Sequence, residues 1–256
     1  MFEAVLNQAV TFKKICDALK EIASDVNITV NDEGMYMQAM DASHIALMEM
    51  DFKRAAFDKY VCDRQMVIGL NVNTLGSILK AATNEDSVTF RKEDDAEKFL
   101  VMLSCPGDDR VSEYELPMIR IDADQISVPS GEHDAQVYLA SKHFAKVIGD
   151  LGNFGESLGM LVTPEDITFK AVSDRASTKI VIRNSQSSGV TVTCQANVEQ
   201  AVSMRFMAQF AKACPISTTM CLHFSRGQPI VATFPINDSL ESGTIRYFLA
   251  PKLEDE

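Results

Sequence analysis

Apolar residues recur every three or four positions at Phe12, Ile15, Leu19 and Ile22, a spacing that predicts an amphipathic helix. Alternation follows. Met35, Met37 and Ala39 share one face of a predicted strand, and Ile45, Leu47 and the apolar members of Met48–Phe52 form the next. Val72, Leu75, Ile78 and Leu79 return to helical spacing, and further strands are predicted at Ser87–Arg91, Phe99–Ser104 and Val111–Leu116. The order then starts again, with helices predicted near Ser141–Leu151 and Ser203–Ala213. Between the halves the periodicity breaks from Pro117 to Asp134, a stretch that holds Pro129, Ser130 and Gly131 and reads as a linker.

The two halves are related by a fixed offset. Phe12-Lys-Lys-Ile-Cys-Asp-Ala-Leu19 lies 132 residues before Phe144-Ala-Lys-Val-Ile-Gly-Asp-Leu151. The same offset carries the run Val30–Met40 onto Val162–Val172, matching Glu33 to Glu165 and Ala39 to Ala171. It also relates Lys14 to Lys146, Leu75 to Met207, Ile78 to Phe210, Lys80 to Lys212 and Val88 to Met220. Two similar domains in tandem follow, over residues 1–117 and 135–256 with the linker at 118–134. Each packs two helices on antiparallel sheet, an α+β fold.

Composition narrows the class. Hydrophobic residues are 46% and charged residues 23% of the 256 residues, ordinary for a globular chain. No apolar run approaches the roughly 20 residues that cross a bilayer, and Met1-Phe-Glu-Ala lacks the features of a secretory signal. Six cysteines fall in no CxxC or zinc spacing and read as reduced, mostly buried thiols. The net charge of −12 argues against a chain coated in lysine and arginine for nucleic acid. It leaves room for a protein that segregates its basic residues onto one surface.

Helical residues turn by about 100° each, so the direction of each basic side chain can be counted. Lys13 and Lys20 fall away from the Phe12/Ile15/Leu19 stripe, and Lys80 away from Leu75/Ile78/Leu79. Lys142 and Lys146 lie opposite Phe144/Val147/Ile148/Leu151, and Arg205 and Lys212 opposite Phe206/Phe210. All four predicted helices therefore turn a cation outward, while Glu93-Asp-Asp95, Asp108-Asp109 and Glu254-Asp-Glu256 lie in loops and the tail. Amphipathic helices carry charge outward in any case, and Asp17, Glu21 and Asp150 share these faces. Two readings stay open from the pattern alone: a solvated face, or a basic surface that contacts phosphates without reading bases.

Chemistry-bearing motifs do not emerge. No GxxxxGK[ST] or GxGxxG loop is present, and His44, His133, His143 and His223 form no HExxH or i, i+4 pair. Asp41, Ser43 and His44 are triad residue types, but neighbours in sequence do not make a triad. Cys62-Asp63-Arg64 reads as a structural cysteine, and Asp122 and Asp124 as solvated linker residues. The expectation is a chain that catalyses nothing and needs no metal or cofactor.

Several ordered strings carry a resemblance. They are Met1-Phe-Glu-Ala4, Met40-Asp-Ala-Ser-His44, Phe57-Asp-Lys-Tyr60, Cys62-Asp-Arg64, Gly69-Leu-Asn71, Asn84-Glu-Asp86, Val111-Ser-Glu-Tyr114 and the tail Tyr247-Phe-Leu-Ala-Pro-Lys-Leu-Glu-Asp-Glu256. Together they resemble the eukaryotic sliding clamps of the proliferating cell nuclear antigen family over essentially the whole chain. The resemblance implies a head-to-tail homotrimer in the nucleus, a pseudo-six-fold ring of six domains whose helices line a hole around double-stranded DNA. A subunit of a heterotrimeric checkpoint-type clamp is the alternative.

By the same correspondence the inner basic set is Lys13, Lys14, Lys20, Lys80, Lys142, Lys146, Arg205 and Lys212. The subunit edges match Val111–Leu116, with Tyr114, and Arg175–Arg183, with Lys179, Ile180 and Ile182. A partner pocket under the linker matches Met40, His44, Ile45, Leu47, Ile126, Val128, Pro229, Phe248, Ala250 and Pro251. By periodicity alone Met40, Ile45 and Leu47 read as core; the resemblance makes them pocket. Replicative polymerase, clamp loader, flap nuclease and DNA ligase are the implied partners, through short motifs with aromatic anchors. The chain departs from the family where a ubiquitin-accepting lysine falls on Pro164, with Lys170 the nearest substitute. It departs again at Ser77 and Gly149, which stand at basic inner positions, and in a shorter, less acidic loop at Ser185–Gly189.

Overall fold

The computed structural model describes residues 1–122, 126–128 and 131–252. Asp124, Pro129, Ser130 and the acidic tail Glu254-Asp-Glu256, all named above, lie outside the described residues. The chain resolves into two compact units. The first comprises Met1–Ala42, Met48–Ser127 and Ser239–Ile245, the second Ser43–Leu47, Val128–Asp238 and Arg246 onward.

The first half of the chain runs β1 (Phe2–Leu6), α1 (Ala9–Leu19), β2 (Asp25–Val30), β3 (Gly34–Met40), β4 (Ala46–Lys53), β5 (Lys59–Cys62), β6 (Met66–Asn71), α2 (Val72–Leu79), β7 (Ser87–Lys92), β8 (Lys98–Cys105) and β9 (Arg110–Pro117). One antiparallel sheet is ordered β5-β1-β7-β8-β9, and β4-β3-β2-β6 forms another. Their inward residues and those of α1 meet in a string of rings. Phe12 lies 4.6 Å from Phe90 and 6.2 Å from Phe52, and Phe90 stacks on Phe99 at 5.9 Å. The helix α2 starts where Asn71 Oδ1 accepts from Thr74 N at 3.0 Å, satisfying an amide that the first turn leaves unpaired.

The second half repeats the order as β10 (Ala135–Ala140), α3 (Ser141–Leu151), β11 (Ser157–Val162), β12 (Asp166–Val172), β13 (Ser177–Arg183), β14 (Thr191–Cys194), β15 (Val198–Ser203), α4 (Met204–Phe210), β16 (Thr219–Phe224), β17 (Ile230–Pro235) and β18 (Gly243–Leu249). The bounds of α3, β11, β12, β14, β15 and β16 sit 132 residues after those of α1, β2, β3, β5, β6 and β7. Strand orders repeat too, as β13-β12-β11-β15 and β14-β10-β16-β17. The fold is thus α+β with four α-helices among the described residues, none long and apolar enough to cross a membrane. Phe210 and Tyr247, stacked at 4.4 Å, anchor the second core.

One helix is shorter than its periodicity predicts. After Phe210 the backbone tightens into a 3₁₀ segment, Ala211–Ile216, that contains Pro215. Proline has no N–H to donate, and in an α-helix its ring would collide with the carbonyl four residues back, at Ala211. Lys212 therefore projects from a 3₁₀ turn, not from the α-helical face on which its angle was counted.

Candidate DNA-facing helices and partner pocket

Six of the eight predicted cations are exposed: Lys20, Lys80, Lys142, Lys146, Arg205 and Lys212. Lys13 and Lys14 are only half-exposed. Lys13 has a structural task, because its Nζ donates to Lys80 O and Ala82 O, both at 3.2 Å. Those carbonyls close the C-terminal end of α2, where a helix lacks donors and its dipole favours a cation. Lys20 is tied to Asp17 at 2.6 Å, and the Arg205 guanidinium lies over the Phe206 ring at 4.5 Å. Arg205 therefore leans back on an aromatic that it was expected to oppose. Lys80, Lys142, Lys146 and Lys212 make no side-chain hydrogen bond or ion pair among the described residues, which leaves their charge available to a phosphate backbone.

The segments expected at the subunit edges fall on β9 and β13. Among the described residues both β9 and β13 have a partner on one side alone, β8 and β12 respectively. Along β9 the side chains alternate between an outer set, Val111 (65% exposed), Glu113 and Glu115, and an inner set containing Tyr114 and buried Leu116. Along β13 the outer set is Ser177, Lys179, Val181 and Arg183, and the inner set contains Ile180 and buried Ile182. Arg175 sits two residues before this strand, in the turn from β12.

Their counterparts elsewhere in the chain are paired. Lys53 N donates to Ser242 O at 3.1 Å in the first unit, and in the second Ala250 N donates to Ile45 O at 3.2 Å, so β4 and β18 run side by side. By the 132-residue offset β4 corresponds to β13 and β18 to β9, each within a residue or two at its ends.

The residues of the expected pocket belong in part to the first unit and in part to the second. Met40 and Ile126 belong to the first. There Gln38, on the same face of β3 as Met40, grips the Ile126 backbone from both sides: Ile126 N donates to its Oε1 and its Nε2 donates to Ile126 O, each at 2.9 Å. Asn27 Nδ2 donates to Ile121 O at 2.8 Å, and Ile119 N to Gly69 O at 3.0 Å. A cavity of about 280 Å³ lies on this face, lined among others by Asn27, Tyr36, Gln38 and Val67. Buried Glu49 on β4 accepts from Tyr36 Oη at 2.9 Å and from Gln38 Nε2 at 3.3 Å, so a carboxylate inside an apolar-looking run is satisfied.

The second unit holds His44, Ile45, Leu47, Val128, Pro229, Phe248, Ala250 and Pro251. His44 takes a left-handed backbone (φ 58°) and Ile45 is 41% exposed, whereas Leu47 is core. A cavity of about 260 Å³ opens here, and of the ten predicted residues Pro229 and Phe248 line it. Its other walls come from Gly131, Glu132, His133, Gln228 and Val231. His133 Nδ1 lies 3.1 Å from Ser225 Oγ, and its ring packs at 4.6 Å against His223, whose Nε2 lies 3.2 Å from Thr233 Oγ1. Burial lowers both imidazoles. His223 falls to about 4, first by burial and then by the nearby His133 and Arg246; for His133, Asp134 opposes the fall.

Two domain profiles match the chain, "Proliferating cell nuclear antigen, N-terminal domain" over residues 1–126 and "Proliferating cell nuclear antigen, C-terminal domain" over residues 127–252. The chain belongs to the proliferating cell nuclear antigen family. It is 33% identical to "Proliferating cell nuclear antigen 2" of Drosophila melanogaster over 255 residues, spanning 100% of this chain and 99% of that protein. The family's members are sliding clamps that bind DNA and polymerase partners, and this function extends to the chain.

Within this family frame, sequence reasoning missed His133, His223, Gln228 and Val231. His133 lies in the linker and His223 within a strand, and 90 residues separate them, so no local spacing links them. The thiols play no visible part: burial pushes Cys214 and Cys221 up to about 12 and raises Cys62 as well, the reverse of an activated nucleophile. At Pro164 the carbonyl accepts from Asn184 Nδ2 at 3.0 Å, and Lys170 is exposed on β12.

Proposed function

We propose that this chain assembles with two further copies of itself into a closed ring around double-stranded DNA. The observation that carries this reading is the pair of open edges, β9 and β13, whose 132-residue counterparts β18 and β4 already run side by side. The same pairing between copies joins the head of one to the tail of the next and leaves neither of these two edges open on closure. The charges agree, since Glu113 and Glu115 on β9 would meet Lys179 and Arg183 on β13, with Tyr114 against Ile180. A chain that carries both complementary edges needs no second kind of subunit, which favours the homotrimer over a checkpoint-type heterotrimer.

Lys80, Lys142, Lys146, Arg205 and Lys212, with Lys14 and Lys20, then face the DNA backbone and hold it by screened, sequence-independent attraction compatible with sliding. The cavity lined by Phe248 and Pro229 takes the aromatic motifs of a replicative polymerase, clamp loader, flap nuclease or DNA ligase in the nucleus. The chain supplies binding surfaces and no chemistry.

Light scattering across a dilution series tests the assembly. Three chains of 28.2 kDa give about 85 kDa, and Tyr114→Ala should shift the mass towards the monomer. A wild-type chain that stays monomeric throughout overturns the homotrimer in favour of a mixed ring. Retention on circular DNA, lost when the circle is linearised, tests encirclement.

A further inference from the structure

The cavity beside Phe248 is apolar on one side and polar on the other. Phe248, Pro229 and Val231 offer hydrocarbon, while His133 and Gln228 bring hydrogen-bonding groups to the same space. His133 is fixed on two sides, at its edge by Ser225 Oγ at 3.1 Å and on its face by His223, with ring centroids 4.6 Å apart. His223 is itself held by Thr233 Oγ1 at 3.2 Å. The His133 ring is thus a preset wall of the cavity and not a surface side chain that swings aside.

An imidazole has two nitrogens to satisfy. Nδ1 is engaged by Ser225, and Nε2 forms no hydrogen bond among the described residues. A phenyl anchor packed in the cavity would shield this nitrogen from solvent and return no hydrogen bond to it, which is unfavourable. A phenol fills the same space against Phe248, Pro229 and Val231 and also supplies a hydroxyl. That hydroxyl donates or accepts, so it suits either tautomer of His133. A carboxylate is a poorer occupant, because Glu132 lines the cavity and Asp134 adjoins His133.

We propose that His133 is a specificity-determining residue that makes this cavity prefer a tyrosine over a phenylalanine anchor in the motifs it binds. The inference rests on the cavity's being the partner-motif site, and its test separates the two. Two synthetic peptides, identical except for Tyr or Phe at the anchor, are titrated calorimetrically into full-length wild type, His133→Phe, His133→Ala and Phe248→Ala. Wild type should bind the Tyr peptide about three- to tenfold more tightly, the net worth of one hydrogen bond. Both His133 variants should bring the ratio close to one, with the Phe peptide binding His133→Phe at least as well as it binds wild type. Phe248→Ala should weaken both peptides alike.

Equal wild-type affinities, with both peptides lost in Phe248→Ala, would overturn the role of His133 and leave the pocket standing. A Tyr preference that persists in both His133 variants would also overturn it. Peptide binding indifferent to Phe248→Ala would remove the pocket reading and this inference together. If one His133 variant fails to fold, the peptide ratio of the other gives the same test.

Discussion

Lowering the pH should destabilise this fold through one imidazole. In the folded chain His223 is held neutral with its pKa lowered to about 4, first by burial and then by the neighbouring His133 and Arg246. In the unfolded chain it titrates near 6.5. Between these values the unfolded state binds the extra proton, so stability rises with pH across the window. The contribution is complete above about 6.5 and lost as the pH falls towards 4. At about 1.4 kcal/mol per decade of difference the full effect is roughly 3 kcal/mol, with about 2.5 kcal/mol gone by pH 4.5. His133, shifted in the same direction by burial, adds to the slope. Asp238 does not interfere. Burial pushes its carboxylate upward, but hydrogen bonds from Ser217 and Thr218 hold it below 3.8, so its contribution fades only under the window. The assay is urea unfolding followed by far-ultraviolet circular dichroism at pH 7 and 4.5, with protein concentration fixed because assembly adds to apparent stability. His223→Gln should lose about 2 kcal/mol less than wild type between the two values. An identical loss in the variant would refute the assignment to His223.

Other consequences are open to direct measurement. Asn71→Ala should cost about 1 kcal/mol by removing the hydrogen bond that starts α2, read as a lower urea midpoint. Gly69→Ala places a Cβ 2.1 Å from Ile119 O; it should cost roughly 1–3 kcal/mol and speed hydrogen exchange at the Ile119 amide. Lys13→Met should lower the melting temperature, because Lys80 O and Ala82 O lose their donor. Lys212→Ala should leave melting unchanged and weaken retention on circular DNA, with a shallower salt dependence.

How much of this was legible in the sequence depends on range. The offset from Phe12 to Phe144 anticipated the architecture, because helix and strand periods are local and a duplicated order repeats them: α1 and α3 share their bounds to the residue. Pro215 was visible as well, but its effect on Lys212 depended on the preceding turn being otherwise helical. The task of Lys13 was hidden, since angle counting on α1 carries no information about the end of α2. Glu49 stands among apolar residues of β4, and its hydrogen bonds from Tyr36 and Gln38 across the sheet could not be read from strand alternation. Legibility was lowest at the cavity. Periodicity reads buried residues as core without saying which of them border a void. His133 and His223 meet because β10 and β16 are neighbours, with Ala135 opposite Phe224 and Gln136 opposite His223.

The fasteners on the stretch after β9 share a property with an evolutionary consequence. Gln38 engages the amide and carbonyl of Ile126, Asn27 the carbonyl of Ile121, and Gly69 the amide of Ile119. All of them grip main chain, which every residue except proline presents in the same way. Side chains along this stretch can therefore change while the anchoring stays constant, with proline excluded at 119 and 126, where an amide donates. A lineage could retune which motifs dock beside its linker without rebuilding the linker's attachment to the sheet. Selection for new clients and selection for a stable domain would then act on different atoms of the same residues.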